Sequence, residues 1–270
     1  MRTIVHLSDL HFGRIDPQLI APLTGLIGAT APDVLVVSGD LTQRARSAEF
    51  LAAKKFLDAL PGPQIIVPGN HDIPLHNIFD RFVRPLDKYR RYITDDLAPQ
   101  FIDTEIAIFG INTARSLTIK NGRVGVADMR AVHARLAALD PLLTKIIVTH
   151  HPFDLPDDFD EKNLVGRASG AMALFATCGA DVLLAGHLHA THAGSSQERY
   201  PHSDYAALVV QAGTATSTRG RGESNSFNIL RIDAGRVDVD HLSWQPDDNR
   251  FAVVDTDRFE RSGRGWQKVV

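Results

Sequence analysis

Five short apolar runs in this chain end in the same way. Thr3 to Leu7 stops at Ser8-Asp9-Leu10-His11, Val34-Leu35-Val36-Val37 at Ser38-Gly39-Asp40, and Ile65-Ile66-Val67 at Pro68-Gly69-Asn70-His71-Asp72. Lys145 to Thr149 stops at His150-His151-Pro152, and Ala180 to Ala185 at Gly186-His187-Leu188-His189. A continuous run of β-branched residues reads as a strand buried on both faces, as in a sheet covered by helices. Turn residues then present oxygen and nitrogen donors just beyond the carboxyl ends of the strands, where open α/β sheets bind ligands. The pattern predicts a largely parallel sheet with one chemically active edge.

The intervening segments fit that reading. Pro17 to Ala29 carries apolar residues at helical spacing and runs into Ala31-Pro32-Asp33, while Ser47 opens a helix that Pro61-Gly62-Pro63 closes. Asn77 to Tyr92 reads as an amphipathic helical segment broken near Pro85, its arginines forming a solvated basic face. Ile106 to Ile111 reads as a strand leading to Asn112-Thr113-Ala114-Arg115, and helices are expected over Ala127 to Leu139 and Ser169 to Cys178. Phe153 to Arg167 holds Asp154, Asp157, Asp158, Asp160 and Glu161 without periodicity, which predicts a loop at the rim of the site. His192 and His202 read as solvated or hydrogen-bonded. From Ala206 onward β-forming runs follow one another without helices, punctuated by Gly213, Gly220, Gly222 and Gly235. They predict an antiparallel second sheet over 206–257 packed on the first, after a core over 1–205, all within a single domain of 1–270. Arg258 to Val270 is weakly patterned and predicts a loosely docked tail.

Composition narrows the function classes. A length of 270 residues with 44% hydrophobic content can bury a substantial core. The net charge of -3 argues against a dedicated nucleic-acid binder. Cys178 is the only cysteine, so neither an intramolecular disulfide nor a thiolate zinc cluster can form, which fits a reducing compartment. The N-terminal apolar run is too short for a signal peptide and no stretch approaches the ~18 residues of a membrane span. A cytoplasmic location is expected, and the β-rich C-terminal runs leave a homodimer open.

Twelve histidines are the remaining compositional signal, and six of them stand at the strand ends. Asp9, His11, Asp40, Asn70, His71, His150, His187 and His189 are all oxygen or nitrogen donors, enough for two adjacent cations sharing one carboxylate. An imidazole-rich set of this kind suits zinc, iron or manganese over calcium.

In order and spacing, Asp9-Leu10-His11, Gly39-Asp40, Gly69-Asn70-His71-Asp72, His150 and Gly186-His187-Leu188-His189 resemble the calcineurin-like metallophosphoesterase superfamily over about residues 3 to 190. The resemblance implies a four-layer αββα sandwich of two mixed β-sheets flanked by helices, with a dinuclear centre of manganese, iron or zinc. Asp9, His11, Asp40 and His189 would hold one metal, and Asp40, Asn70, His150 and His187 the other, with His151 outer-sphere or turned away. Two such cations lower the pKa of a bridging water, so the expected nucleophile is hydroxide. His71 would protonate the leaving oxygen or stabilise charge on the phosphate, and Asp72 would orient His71 by a hydrogen bond.

The chain further resembles the bacterial cyclic-nucleotide and glycerophosphodiester phosphodiesterases in its size, in His150-His151-Pro152 and in Asn112-Thr113-Ala114-Arg115. The expected substrate is a small phosphodiester, with Arg44, Asn112 and Arg115 as candidate phosphate ligands. Leu41-Thr42-Gln43-Arg44 after Asp40 lacks the Val-Asp-Arg-Gly of Ser/Thr phosphoprotein phosphatases. Double-strand-break nucleases are longer, with a capping domain that this chain does not show. Lipid-precursor diphosphatases usually add apolar helices over the site. A non-catalytic scaffold of the same fold would typically have lost ligand residues that this chain retains.

Overall fold

The computed structural model describes residues 1–270 apart from 76, 119, 157–158, 202–204, 220–222 and 270, and apart from the side chain of Arg264. The expectations placed on Asp157, Asp158, His202, Gly220 and Gly222 lie outside the described residues.

The first half alternates strand and helix: β1 (Arg2–Leu7), α1 (Pro17–Thr30), β2 (Val34–Val37), α2 (Ser47–Asp58) and β3 (Gln64–Ile66). Two short helices, α3 (Ile78–Val83) and α4 (Asp87–Tyr92), flank Pro85. The middle adds β4 (Gln100–Ile102), β5 (Ile106–Gly110), α5 (Val126–Ala137), β6 (Thr144–Val148), α6 (Ala168–Cys178), β7 (Val182–Ala185), β8 (His192–Ser195), β9 (Tyr205–Ala206) and β10 (Leu208–Gln211). The chain closes with β11 (Ser226–Asp233), β12 (Arg236–Gln245), β13 (Arg250–Ser262) and β14 (Arg264–Val269).

These strands form two mixed sheets, ordered β3-β2-β1-β11-β12-β13-β14-β9 and β4-β5-β6-β7-β10-β8. The period-two alternation of side chains explains how they stack. Ile4, Val34 and Val36 of the first sheet meet Ile106, Ile108, Ile146 and Val148 of the second in one buried cluster. The intervening Val5, Leu35 and Val37 face the other way, against Leu19, Leu23 and Ile27 of α1 and Phe50, Phe56 and Leu57 of α2. Ala107, Phe109 and Ile147 likewise turn outward onto α5 and α6. Helix, sheet, sheet, helix is the four-layer αββα sandwich.

Two expectations are corrected. Of the β-rich segment over 206–257, only β10 joins the second sheet. β11 pairs antiparallel with β1, Arg2 opposite Ile232, and β12 to β14 extend that same N-terminal sheet. The second sheet is instead built largely from the middle of the chain, where α5 and α6 supply the crossovers that the parallel pairs β5-β6 and β6-β7 need, while β8 and β9 lie between β7 and its parallel partner β10. Arg258 to Val270 is not a loose tail either. It runs through β13 and β14, which pair from Arg258–Val269 to Ser262–Gly265, and Trp266 is buried with its Nε1 donating to Asp181.

Candidate metal centre

The carboxyl ends of β1 and β2 continue side by side as paired loops. Asp9 N donates to Gly39 O (3.1 Å), His11 N to Asp40 O (2.9 Å) and Phe12 N to Leu41 O (2.9 Å). Asp9, His11 and Asp40 therefore project from one braced edge. Their backbones have φ of 51°, 51° and 52°, and His187 and His189 have 74° and 60°. A non-glycine residue in the left-handed region costs roughly 1 kcal/mol or more and persists only where its surroundings over-determine it. Five of the seven ligand-type positions share this strain, which marks the edge as built for something other than stability. Two glycines let the strands approach so closely: a Cβ on Gly69 would lie 2.1 Å from Asp40 Oδ1, and one on Gly186 would lie 1.7 Å from Ser8 Oγ.

Each central carboxylate has one oxygen committed to the protein and one aimed into the cluster. Asp9 Oδ2 accepts from Ser8 Oγ (2.7 Å) and His187 N (2.8 Å). Asp9 Oδ1 is buried with no hydrogen-bond partner, facing His189 Nε2 at 3.3 Å and His11 Nε2 at 3.5 Å. Those two nitrogens lie 3.2 Å apart. Asp40 Oδ1 accepts from His71 N (2.8 Å), while Oδ2 stands 3.4 Å from His150 Nε2 and 3.8 Å from His11 Nε2. Asn70 Oδ1 is 3.2 Å from His150 Nε2. His150 Nδ1 donates to Ser38 O (2.7 Å), which leaves Nε2 as the inward donor atom.

The electrostatics agree with the geometry. Burial would raise the Asp9 carboxyl, but His189 and His11 hold it well below the usual carboxylate range. Asp40 is depressed in the same way, with His150 the foremost of the imidazoles opposing burial. Burial works against charge on His150, yet Asp40 raises it to about 9. Converging ring nitrogens, an orphaned carboxylate oxygen and an amide oxygen are a donor set that a cation satisfies and that these groups cannot satisfy among themselves.

His187 is buried with its ring centroid 5.1 Å from that of His150 and 4.7 Å from that of His151. His150, His151 and His187 each place a ring nitrogen within 4.8 Å of the others, so His151 is not turned away. Its Nδ1 meets Thr113 Oγ1 at 2.8 Å, its Nε2 is buried without a hydrogen bond, and burial followed by His187 pushes its pKa well down.

The expected Asp72–His71 hydrogen bond is absent and that expectation is corrected. The short 3-10 turn over Asn70–Asp72 sends consecutive side chains in different directions. Asp72 is buried and accepts from Gly69 N (2.9 Å), Thr42 N (2.9 Å), Leu41 N (3.2 Å) and Thr42 Oγ1 (2.9 Å), clamping the β2 loop to the β3 loop. Burial and the charge of Asp40 push its carboxyl up to about 7. His71 is oriented instead by Gln43, whose carbonyl accepts from Nδ1 at 2.9 Å. His71 Nε2 is met by Arg219 Nη1 at 3.0 Å, a contact that no strand-end motif announces.

Arg115 donates to Ala114 O (3.0 Å) and to Asp128 Oδ2 (2.8 Å) of α5, and Asn112 Oδ1 accepts from Ala114 N. Both line a cleft of about 390 Å³ with Ile73, Arg84 and Arg90. Arg44 is exposed, with its backbone N–H on Glu49. In the acidic segment, Asp154 is buried and paired with Arg199 at 2.6 Å. Among the described residues no helix is long and apolar enough to cross a membrane.

Known proteins resemble this chain in sequence and in fold. The chain is 34% identical over 126 residues to the glycerophosphodiester phosphodiesterase GpdQ of Enterobacter lignolyticus, covering 38% of this chain and 44% of that one. It is 30% identical over 82 residues to a probable cyclic nucleotide phosphodiesterase of Synechococcus sp., covering 27% and 32%. The matches thus span less than half the length of either relative. In fold, the chain superposes on a dimetal phosphatase from Danio rerio with a TM-score of 0.69 at 13% identity, over 97% of this chain and 99% of that one. A purple acid phosphatase from yellow lupin gives 0.72 at 12% identity, over 97% and 54%. Residues 2–191, the stretch that carries every strand-end motif, match the calcineurin-like phosphoesterases, and the chain belongs to that family.

Proposed function

We propose that this chain is a dinuclear-metal phosphodiesterase acting on small phosphodiesters, such as 3′,5′-cyclic nucleotides or glycerophosphodiesters. The observation that carries the reading is Asp40, whose inward oxygen lies between the imidazoles of His11 and His150 while its other oxygen is fixed by His71 N. That is the placement of a carboxylate shared by two ions. Asp9, His11, Asp40 and His189 would hold one ion and Asp40, Asn70, His150 and His187 the other, each manganese, iron or zinc. When bound, such a pair supplies a nucleophile at neutral pH and neutralises charge on a phosphate.

The chain's own residues supply the rest. Asp9, His11, His150, His187 and His189 are buried, which keeps water from competing for the donors and strengthens their charges. Asn70 and His71 are half-exposed at the mouth, where an ester would enter. Gln43 O fixes the His71 ring. The diester preference is supported by the relatives named as phosphodiesterases, and a net charge of -3 argues against a dedicated nucleic-acid substrate.

The test is turnover by Mn²⁺-loaded protein on an activated diester, an activated monoester, 3′,5′-cyclic AMP and glycerophosphodiesters, with Asn70→Ala as background. Diester turnover that is lost in the variant supports the proposal. Turnover of monoesters alone, or none with two metals bound, refutes it.

A further inference from the structure

The mouth of the site holds a guanidinium that comes from outside the family-matched residues 2–191. Arg219, half-exposed like Asn70 and His71, sets Nη1 3.0 Å from His71 Nε2. The strap that delivers it is pinned to the loop carrying Asp9 and His11. Thr214 Oγ1 donates to Asp9 O and Thr216 Oγ1 to Leu10 O, both at 2.7 Å, and Ala215 N donates to Ser8 O at 3.1 Å. Thr218 N donates to Arg14 O at 3.0 Å, and Arg219 N itself bonds Ser217 Oγ at 3.1 Å. Thr214 to Ser217 are buried, so the strap is a fixed part of the metal-site wall.

The direction of the His71 contact follows from donor chemistry. Nδ1 donates to Gln43 O, which leaves Nε2 with a lone pair, and a guanidinium has only donors. The bond therefore runs from Arg219 to His71. In this arrangement His71 offers no N–H at Nε2 to an ester oxygen, whereas Arg219 carries a permanent charge and a planar fork matched to phosphate oxygens.

We propose that Arg219 is a catalytic residue of this site, its guanidinium binding the phosphate and stabilising charge on its oxygens, and that His71 is the residue positioning it. The inference rests on the phosphoesterase reading above. It reassigns the charge-stabilising role from the imidazole to the arginine, and it joins a segment beyond the family-matched residues 2–191 to the chemistry.

The test compares metal-loaded parent, Arg219→Gln, Arg219→Lys, His71→Ala and the Arg219→Gln/His71→Ala double variant. Arg219→Gln is expected to keep two metals and its melting temperature, yet to lose about 10²–10³-fold in turnover of bis(4-nitrophenyl) phosphate. Added guanidinium chloride restores at least tenfold of that loss, Arg219→Lys recovers less than tenfold because it lacks the fork, and the double variant falls within threefold of the worse single one. Calorimetric titration with inorganic phosphate gives at least tenfold weaker binding to Arg219→Gln. Turnover within threefold of the parent, or a loss without guanidinium rescue, overturns the proposal. Should the parent itself turn over no ester, the phosphodiesterase reading fails, and the phosphate titration still decides for Arg219: unchanged binding overturns it.

Discussion

Asp72→Ala separates a structural clamp from a catalytic relay. The buried carboxylate accepts three backbone N–H groups, from Leu41, Thr42 and Gly69, and the Thr42 hydroxyl. The hydroxyl has a second acceptor in His71 O at 3.2 Å, so the loss falls on the three amides. A buried donor left unpaired costs roughly 1–3 kcal/mol. Three of them, partly relieved by relaxation or by water entering the gap, come to about 3–5 kcal/mol, or a fall in Tm on the order of 10 °C for a domain of this size. The clamp ties the loop bearing Asp40 to the loop bearing Asn70, so metal affinity falls as well. Asp72→Asn keeps one acceptor oxygen but turns an amide N–H toward a backbone donor, and is expected to cost about 1–3 kcal/mol. Urea or thermal unfolding of the three proteins measures this, alongside turnover. Stability of Asp72→Ala within about 1 kcal/mol of the parent, together with a loss of a hundredfold or more in turnover, would refute the clamp and return Asp72 to orienting His71.

Other perturbations have definite expected outcomes. His71→Ala keeps both metals and loses about 10²–10⁴-fold in turnover, and near-parent activity would remove the residue from the machinery. Trp266→Ala empties a buried indole site and breaks the bond to Asp181, so denaturant unfolding falls by about 3–5 kcal/mol, where a loose tail would give under about 0.5 kcal/mol. For Asp257, burial would raise the carboxyl, but Lys268 and His241 hold it below its ordinary value. Its contribution to stability is present above the unfolded value of 3.8 and is lost as the pH falls through the lower folded one. Asp257→Asn is therefore less stable than the parent at pH 7, with the gap closing below about pH 4; a gap constant with pH would contradict this.

Much of the site was legible because the physics that builds it is local. A buried parallel strand needs a run of β-branched residues, and the turn that ends it displays its side chains at one edge, so Asp9, His11, Asp40, Asn70, His150, His187 and His189 could be gathered by eye. What periodicity does not encode is the partner of a strand. Val237 and Val239 read as β in either sheet, and only the pairing of β11 with β1 decides. The strand pairing over Arg258 to Val270 is hidden because it buries one face only: Phe259 and Trp266 are enclosed while Arg258, Glu260 and Gln267 remain exposed, so the run reads as polar. Adjacency misled at Asp72, where a 3-10 turn parts neighbours in sequence. Arg219 is the larger omission. Its only local signal is the run Thr214-Ala215-Thr216-Ser217-Thr218, hydroxyls too numerous for a buried segment unless they bond another loop, which is what they do.

The central claim is a pair of ions sharing Asp40, and metal content tests it most directly. Protein loaded with Mn²⁺, Fe²⁺ or Zn²⁺, desalted and analysed by plasma mass spectrometry, should hold two ions per chain, and Asn70→Ala and His189→Ala one each. A parent that holds one ion or none, or variants that both keep two, would contradict the account.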